Sequence, residues 1–222
     1  MLLFLTLLFL NPDQAAEMLP VEGKTWKLFD TIEDLNSFVA MDFDQDGNLF
    51  IVDFMDCQVV KISKAGEVLF SFGRKGEAPG EYVMAYDVAV DKKRKRVWVI
   101  DQIRRGLAGY DADGRLRSHL QLEMQPYTLA VRSDGSLIVG GSGEYNLALL
   151  GVNGKLVKTF GRRATAAMKT SLDSMLNRYM SITVDARDHL YVAYTDRPDI
   201  ECYGPDLKLR WKIGRASCRE RV

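Results

Sequence analysis

Residues 38–82 hold four short apolar runs separated by turn signals, with no helical period, and this unit limits what the chain can fold into. FVAMDFD leads to the turn Gln45-Asp46-Gly47-Asn48, and LFIVDF leads to the link Met55-Asp56-Cys57. QVVKIS then meets the turn Lys64-Ala65-Gly66-Glu67 before VLFSFG. Apolar runs bounded by Asp-Gly and similar pairs are the sequence form of consecutive antiparallel hairpins. Three imperfect copies follow, and a four-strand unit recurring every ~40–50 residues predicts an all-β propeller of four-stranded antiparallel blades.

The blades are expected at about 38–82, 83–127, 128–179 and 180–212. Their first strands align at Met41, Val88, Leu129 and Ile182, and again at Phe43, Val90, Val131 and Val184. Asp42, Ala89, Ala130 and Thr183 fall between these pairs. Large residues alternating with smaller ones suit an innermost strand crowded near the axis. Four blades form an open arc, which leaves an apolar face at each end.

Thirty basic and thirty acidic residues cancel, so no global field points to nucleic acid or an anionic membrane as partner. Cys57, Cys202 and Cys218 show no metal spacing, and the first two read as small buried hydrophobes. Residues 1–19 open with MLLFLTLLFL, too short to span a bilayer, and resemble the apolar region of an export signal without its basic start. A periplasmic or extracellular location is therefore expected, with no transmembrane helix. Residues 20–37 read as a lead-in with Trp26 and Phe29 as anchors. The final stretch 213–222, IGRASCRERV, breaks the pattern and resembles a translated sequencing adapter, so it is set apart from the fold.

The run Phe72-Gly73-Arg74-Lys75-Gly76-Glu77-Ala78-Pro79-Gly80-Glu81-Tyr82 resembles the signature between blades of NHL-like six-bladed β-propellers of bacterial type. Ala78 and Tyr82 depart mildly from that pattern, where Gly and Phe are usual. Phe160-Gly161-Arg162 repeats its opening, and Asp44 to Asp53 is similar to the family's first hairpin. The resemblance spans about residues 38–212 and implies four blades of a six-bladed ring, cut short at the C-terminal end. It says little about function, since such propellers serve as scaffolds, receptors and enzymes.

Asp42 and Asp87 are charged exceptions on innermost strands, expected near the channel. A carboxylate there must be solvated, ligated or hydrogen-bonded, and bonding to adjacent backbone or channel water is the simpler reading. Asp42, Asp44, Asp46 and Asp53 are arranged like part of a calcium loop, but ordinary turn chemistry accounts for Asp46-Gly47, so no metal or cofactor is expected. Strand order gathers Arg74, Lys75, Arg104, Arg105, Tyr145, Arg162 and Arg197 on the face carrying the inter-blade connections. Arg with Tyr there suits recognition of a protein, peptide or glycan. The chain is thus expected to be a non-catalytic binding module. The alternative is a metal-dependent hydrolase or lyase of the propeller lactonase or amidating-lyase type, with Asp42 and Asp87 joined by ligands from further blades.

Overall fold

Each alternating apolar run becomes a strand, and each Asp-Gly or Asn-Gly pair a hairpin turn. The computed structural model describes residues 36–163, 180–195 and 199–214. The export-signal segment, most of the lead-in, the long connection 164–179, Asp196, Arg197 and the tail 215–222 with Cys218 lie outside them.

Blade one comprises β1 (Phe38–Phe43), β2 (Leu49–Asp53), β3 (Gln58–Ile62) and β4 (Val68–Phe72). Blade two comprises β5 (Ala85–Asp91), β6 (Arg96–Asp101), β7 (Gly106–Asp111) and β8 (Leu116–Gln121). Blade three comprises β9 (Gln125–Val131), β10 (Leu137–Ser142), β11 (Tyr145–Leu150) and β12 (Leu156–Arg163). Blade four comprises β13 (Met180–Val184), β14 (Leu190–Tyr194), β15 (Ile200–Tyr203) and β16 (Leu209–Ile213). Each sheet runs in sequence order with antiparallel neighbours. Strand β9 starts at Gln125, three residues ahead of the expected boundary, where a register shift between Gly140 and Gly141 lets Pro126 join the sheet edge. Strand β16 runs to Ile213, which pairs with Ile200, so the first residue of the stretch set apart continues a strand.

The core lies between blades. Phe50, Val52 and Val59 of blade one pack with Val88, Val90 and Tyr110 of blade two. Trp98, Ile100 and Leu107 meet Leu129, Leu137 and Val139 of blade three, and Ile138 and Leu147 meet Met180, Leu190 and Val192 of blade four. The large residues of β5, β9 and β13 thus face the preceding blade, and Ala40 and Ala89 the next, whereas Met41 and Phe43 of β1 have no preceding blade among the described residues and are exposed. Blade four has no such neighbour on its far side among the described residues. There Ile200, Trp211 and Ile213 are exposed, with Tyr191 against Trp211 at 6.1 Å between ring centroids.

The Phe-Gly-Arg signature works as a junction. The Phe72 ring lies 4.6 Å from that of Tyr110 at a 48° tilt, while Tyr82 donates its hydroxyl to the Tyr110 oxygen at 2.5 Å. Gly73 turns the chain at φ +80°, and a Cβ there would stand 2.7 Å from the Tyr82 ring. Gly73→Ala is expected to lower stability by about 1–2 kcal/mol through strain and displacement of Tyr82, as read from a urea midpoint shift at unchanged slope. Phe160 meets Tyr203 edge-on at 5.7 Å, the same contact at the junction of blades three and four.

Candidate functional site

The inner strands β1, β5, β9 and β13 line an axial groove of about 730 Å³. Asp42 and Asp87 both border it. Their oxygens point into the protein. Asp42 Oδ1 accepts the Phe43 N–H at 2.7 Å, and its Oδ2 accepts the Val90 N–H of the next blade at 2.8 Å. Asp87 Oδ1 likewise accepts the Val88 N–H at 2.9 Å, and its Oδ2 accepts the Leu129 N–H at 2.8 Å. Each carboxylate is therefore a clasp from one inner strand to the next, at two different heights along the axis. Burial pushes the Asp87 carboxyl up to about 6, against the pull of bonds from Leu129, Thr128 and Val88, with the Asp42 charge adding to the rise.

The four aspartates with calcium-like spacing are spread along a hairpin. Asp44 Oδ1 caps the turn by accepting from Asp46 and Asn48 N–H at 2.9 and 2.8 Å, and Lys61 Nζ stands 3.3 Å from Oδ2. Partial burial alone would raise the Asp44 carboxyl, but Asn48 and Lys61 hold it below the usual range. Asp53 lies at the other end of β2, fully buried, accepting N–H bonds from Asn36 and Met55. Among the described residues no three His, Cys, Asp or Glu side chains are grouped to hold a metal ion.

On the face of the inter-blade connections, the arginines hold the loops themselves. Arg74 places Nη2 and Nε 2.6 and 2.7 Å from Glu81 Oε1 while remaining 79% exposed. The Ala78 N–H and then Arg74 hold the Glu81 carboxyl below its ordinary value. Arg104 Nη1 donates to the Glu77 carbonyl at 2.5 Å, and Arg105 Nη1 to the Glu123 carbonyl at 3.3 Å. Lys75 is exposed, and Tyr145 is half-buried opposite Arg163 at the start of β11. Two residues missed by sequence reasoning stand out here: Met55 and Ile103 are 61% and 52% exposed. Each lies two residues beyond a buried aspartate that ends a second strand, Asp53 or Asp101, and that repeat spacing is a signal that could have found them.

Arg162 stands apart from this group. Its guanidinium bonds Glu201 through Nε at 2.7 Å and through Nη2, and also lies 3.3 Å from Asp199 and 4.3 Å from the Tyr194 ring centroid. Glu201 Oε2 accepts from the hydroxyls of Tyr194 and Tyr203 at 2.8 and 2.9 Å. Arg74 and Arg162 follow the same Phe-Gly pair, yet one pairs within its own loop and the other reaches into blade four. The difference is local: Glu81 lies seven residues from Arg74, whereas the nearest acids to Arg162 belong to β15 and its approach. No helix among the described residues is long and apolar enough to cross a membrane.

Comparison with solved structures gives the same architecture. The chain is similar to a protein from Bacteroides fragilis NCTC 9343 described as exported, at 14% identity and TM-score 0.53, covering 81% of this chain and 72% of that one. A protein of unknown function from Bacteroides caccae matches at 15% identity and TM-score 0.57, over 81% and 67% of the two chains. A catalytically inactive virginiamycin B lyase from Staphylococcus aureus, solved with quinupristin, matches at 14% identity and TM-score 0.61, over 81% and 56%. No curated protein matches the chain. A family model described as a 6-bladed β-propeller matches residues 41–192, and the chain belongs to that family.

Proposed function

We propose that this chain is a non-catalytic binding module of an exported propeller, whose partner docks on the face of the inter-blade connections. The observation that carries this reading is the pair Met55 and Ile103, exposed at equivalent turn tips of adjacent blades beside Arg74, Lys75 and Arg105. Exposed apolar anchors rimmed by cations suit an acidic peptide segment with apolar side chains. The Arg74–Glu81 and Arg104–Glu77 bonds fix the loop, so little ordering cost falls on binding. Export is supported by the apolar opening of the sequence and by the description of the Bacteroides fragilis relative.

A metal-dependent lyase reading would use Asp42 and Asp87, but all four of their oxygens already accept backbone N–H groups. The test is a displayed peptide library panned on the chain and counter-panned on the Met55→Asp, Ile103→Asp double variant. Enriched peptides are expected to be acidic and to lose at least tenfold in affinity on the double variant, with a smaller loss on Lys75→Ala. Peptides that bind both forms equally, or the absence of any enriched binder, would overturn the reading.

A further inference from the structure

The inner strands present their backbone to the axis in a fixed alternation. In blade four the Asp185 N–H bonds the His189 carbonyl, closing the β13–β14 turn. Counting back along the register, Thr183 and Tyr191 form a hydrogen-bonded pair, and Val184–Leu190 and Ile182–Val192 do not. The N–H groups of Ile182 and Val184 therefore turn away from β14, toward the axis. The same count in blade three, from the Arg132 N–H bonded to the Ser136 carbonyl, turns the Leu129 N–H toward the axis, where Asp87 accepts it.

The clasps then follow a rule. Asp42 serves the Val90 N–H at one height, and Asp87 serves the Leu129 N–H at the other. The matching donors in blade four are Val184 and Ile182. The residues of blade three that would serve them are Ala130 and Thr128, and neither carries a carboxylate. Both residues line the groove, and blade four differs from blades two and three in that neither height is served by a carboxylate, whereas in blade three only the Val131 N–H, opposite Ala89, is left without one. We propose that the groove between blades three and four binds the carboxylate of a small organic acid, which takes there, at one height or the other, the place that a single aspartate fills at each of the other two junctions.

The surroundings fit that class. Lys92, Lys93 and Arg132 border one mouth of the groove together with Asp91 and Asp185, of which Asp91 is paired with Arg94 and Asp185 accepts the Arg187 and His189 N–H groups of its own turn. The Asp42 and Asp87 oxygens are turned into backbone donors on the other side, each serving one N–H of the next blade, and a charge-assisted bond from either the Ile182 or the Val184 N–H suits a carboxylate in the same way. This site is independent of the peptide-docking face, so either can fail alone.

The test is nuclear magnetic resonance of the ¹⁵N-labelled chain titrated with acetate, then succinate, at constant ionic strength against chloride. The Ile182 and Val184 amide protons are expected to move downfield and to saturate. Methyl acetate, which has the shape without the charge, is expected to leave them in place. Ala130→Asp supplies an internal carboxylate at the height of Val184 and is expected to shift that amide without ligand and to abolish its response. Lys93→Ala, which gives up one exposed bond from Lys93 Nζ to the Ser133 carbonyl at 3.3 Å, is expected to weaken binding severalfold and keep the same two amides responding. Responses confined to residues around Lys92, Lys93 and Arg132 would mean surface anion binding and overturn the proposal. An equal response to the ester would overturn the carboxylate class.

Discussion

Arg162→Met is expected to lower the unfolding free energy by about 3 kcal/mol in urea denaturation, the largest effect of any single change described above. Glu201 is 3% exposed, and removal of the guanidinium leaves its charge with only the Tyr194 and Tyr203 hydroxyls. The tyrosines cannot release it cheaply, because burial and then the Glu201 charge already raise both phenols above their ordinary value. Glu201→Gln should cost less, since a neutral amide keeps both hydroxyl contacts. The Arg162→Met, Glu201→Met double variant should recover most of the loss, because a buried ion pair gains little over well-packed apolar groups. A single-variant loss below about 1 kcal/mol would place the pair with ordinary surface bridges, and the Phe160–Tyr203 contact would then be what holds blades three and four.

Acidification from pH 7 to pH 4 is expected to make Asp87 contribute stability, against the usual behaviour of a carboxylate. Its native value is raised to about 6 from an ordinary 3.8, so between these values the native state binds a proton that the unfolded chain does not. The contribution is full below pH ~4 and is lost as pH rises through about 6. Asp87 is half-buried beside a solvated groove, which discounts the effect to about 1–2 kcal/mol. The lowered carboxyls of Asp44, Asp111, Asp185 and Asp206 act in the opposite sense, but only as pH falls below their ordinary values. Glu81, lowered from an ordinary 4.5, acts in that same sense at the acid end, so the window from pH ~5 to 6 isolates Asp87. Asp87→Ser, which copies Ser181 of blade four, should flatten the stability profile there, as measured by urea midpoints at half-unit pH steps. A profile unchanged by the substitution would mean that the clasp is hydrated and titrates normally.

The blades were legible because period-two alternation and Gly turns are local signals, and Met41, Val88, Leu129 and Ile182 align without any tertiary knowledge. The placement of Asp42 and Asp87 on the axis followed from the same alignment. Their partners did not, because a clasp depends on which N–H of a neighbouring strand faces inward, and that follows from hydrogen-bond register rather than residue type. Arg162 is the clearest case of the limit. It shares its local sequence with Arg74, and only the blade across the junction decides that one meets Glu201 while the other meets Glu81. A sequence cannot show that Arg104 and Arg105 bond the Glu77 and Glu123 carbonyls, or that Arg162 lies within β12 rather than in a loop.

The repeated Phe-Gly-Arg junction holds its two seams by different chemistry. Between blades one and two it is a tilted aromatic contact of Phe72 and Tyr110, and between blades three and four an ion pair is added through Arg162. Among the described residues the core clusters join adjacent blades, so the blades resemble a row of panels whose fastenings answer to different solvents. Protonation of the acids or concentrated guanidinium salts should loosen the ionic seam first, whereas cold should act first on the aromatic one, where hydrophobic attraction fades. The point at which the arc opens is then selected by the medium, and partly opened forms with blades one and two still joined, or three and four still joined, are distinct species rather than stages of one unravelling.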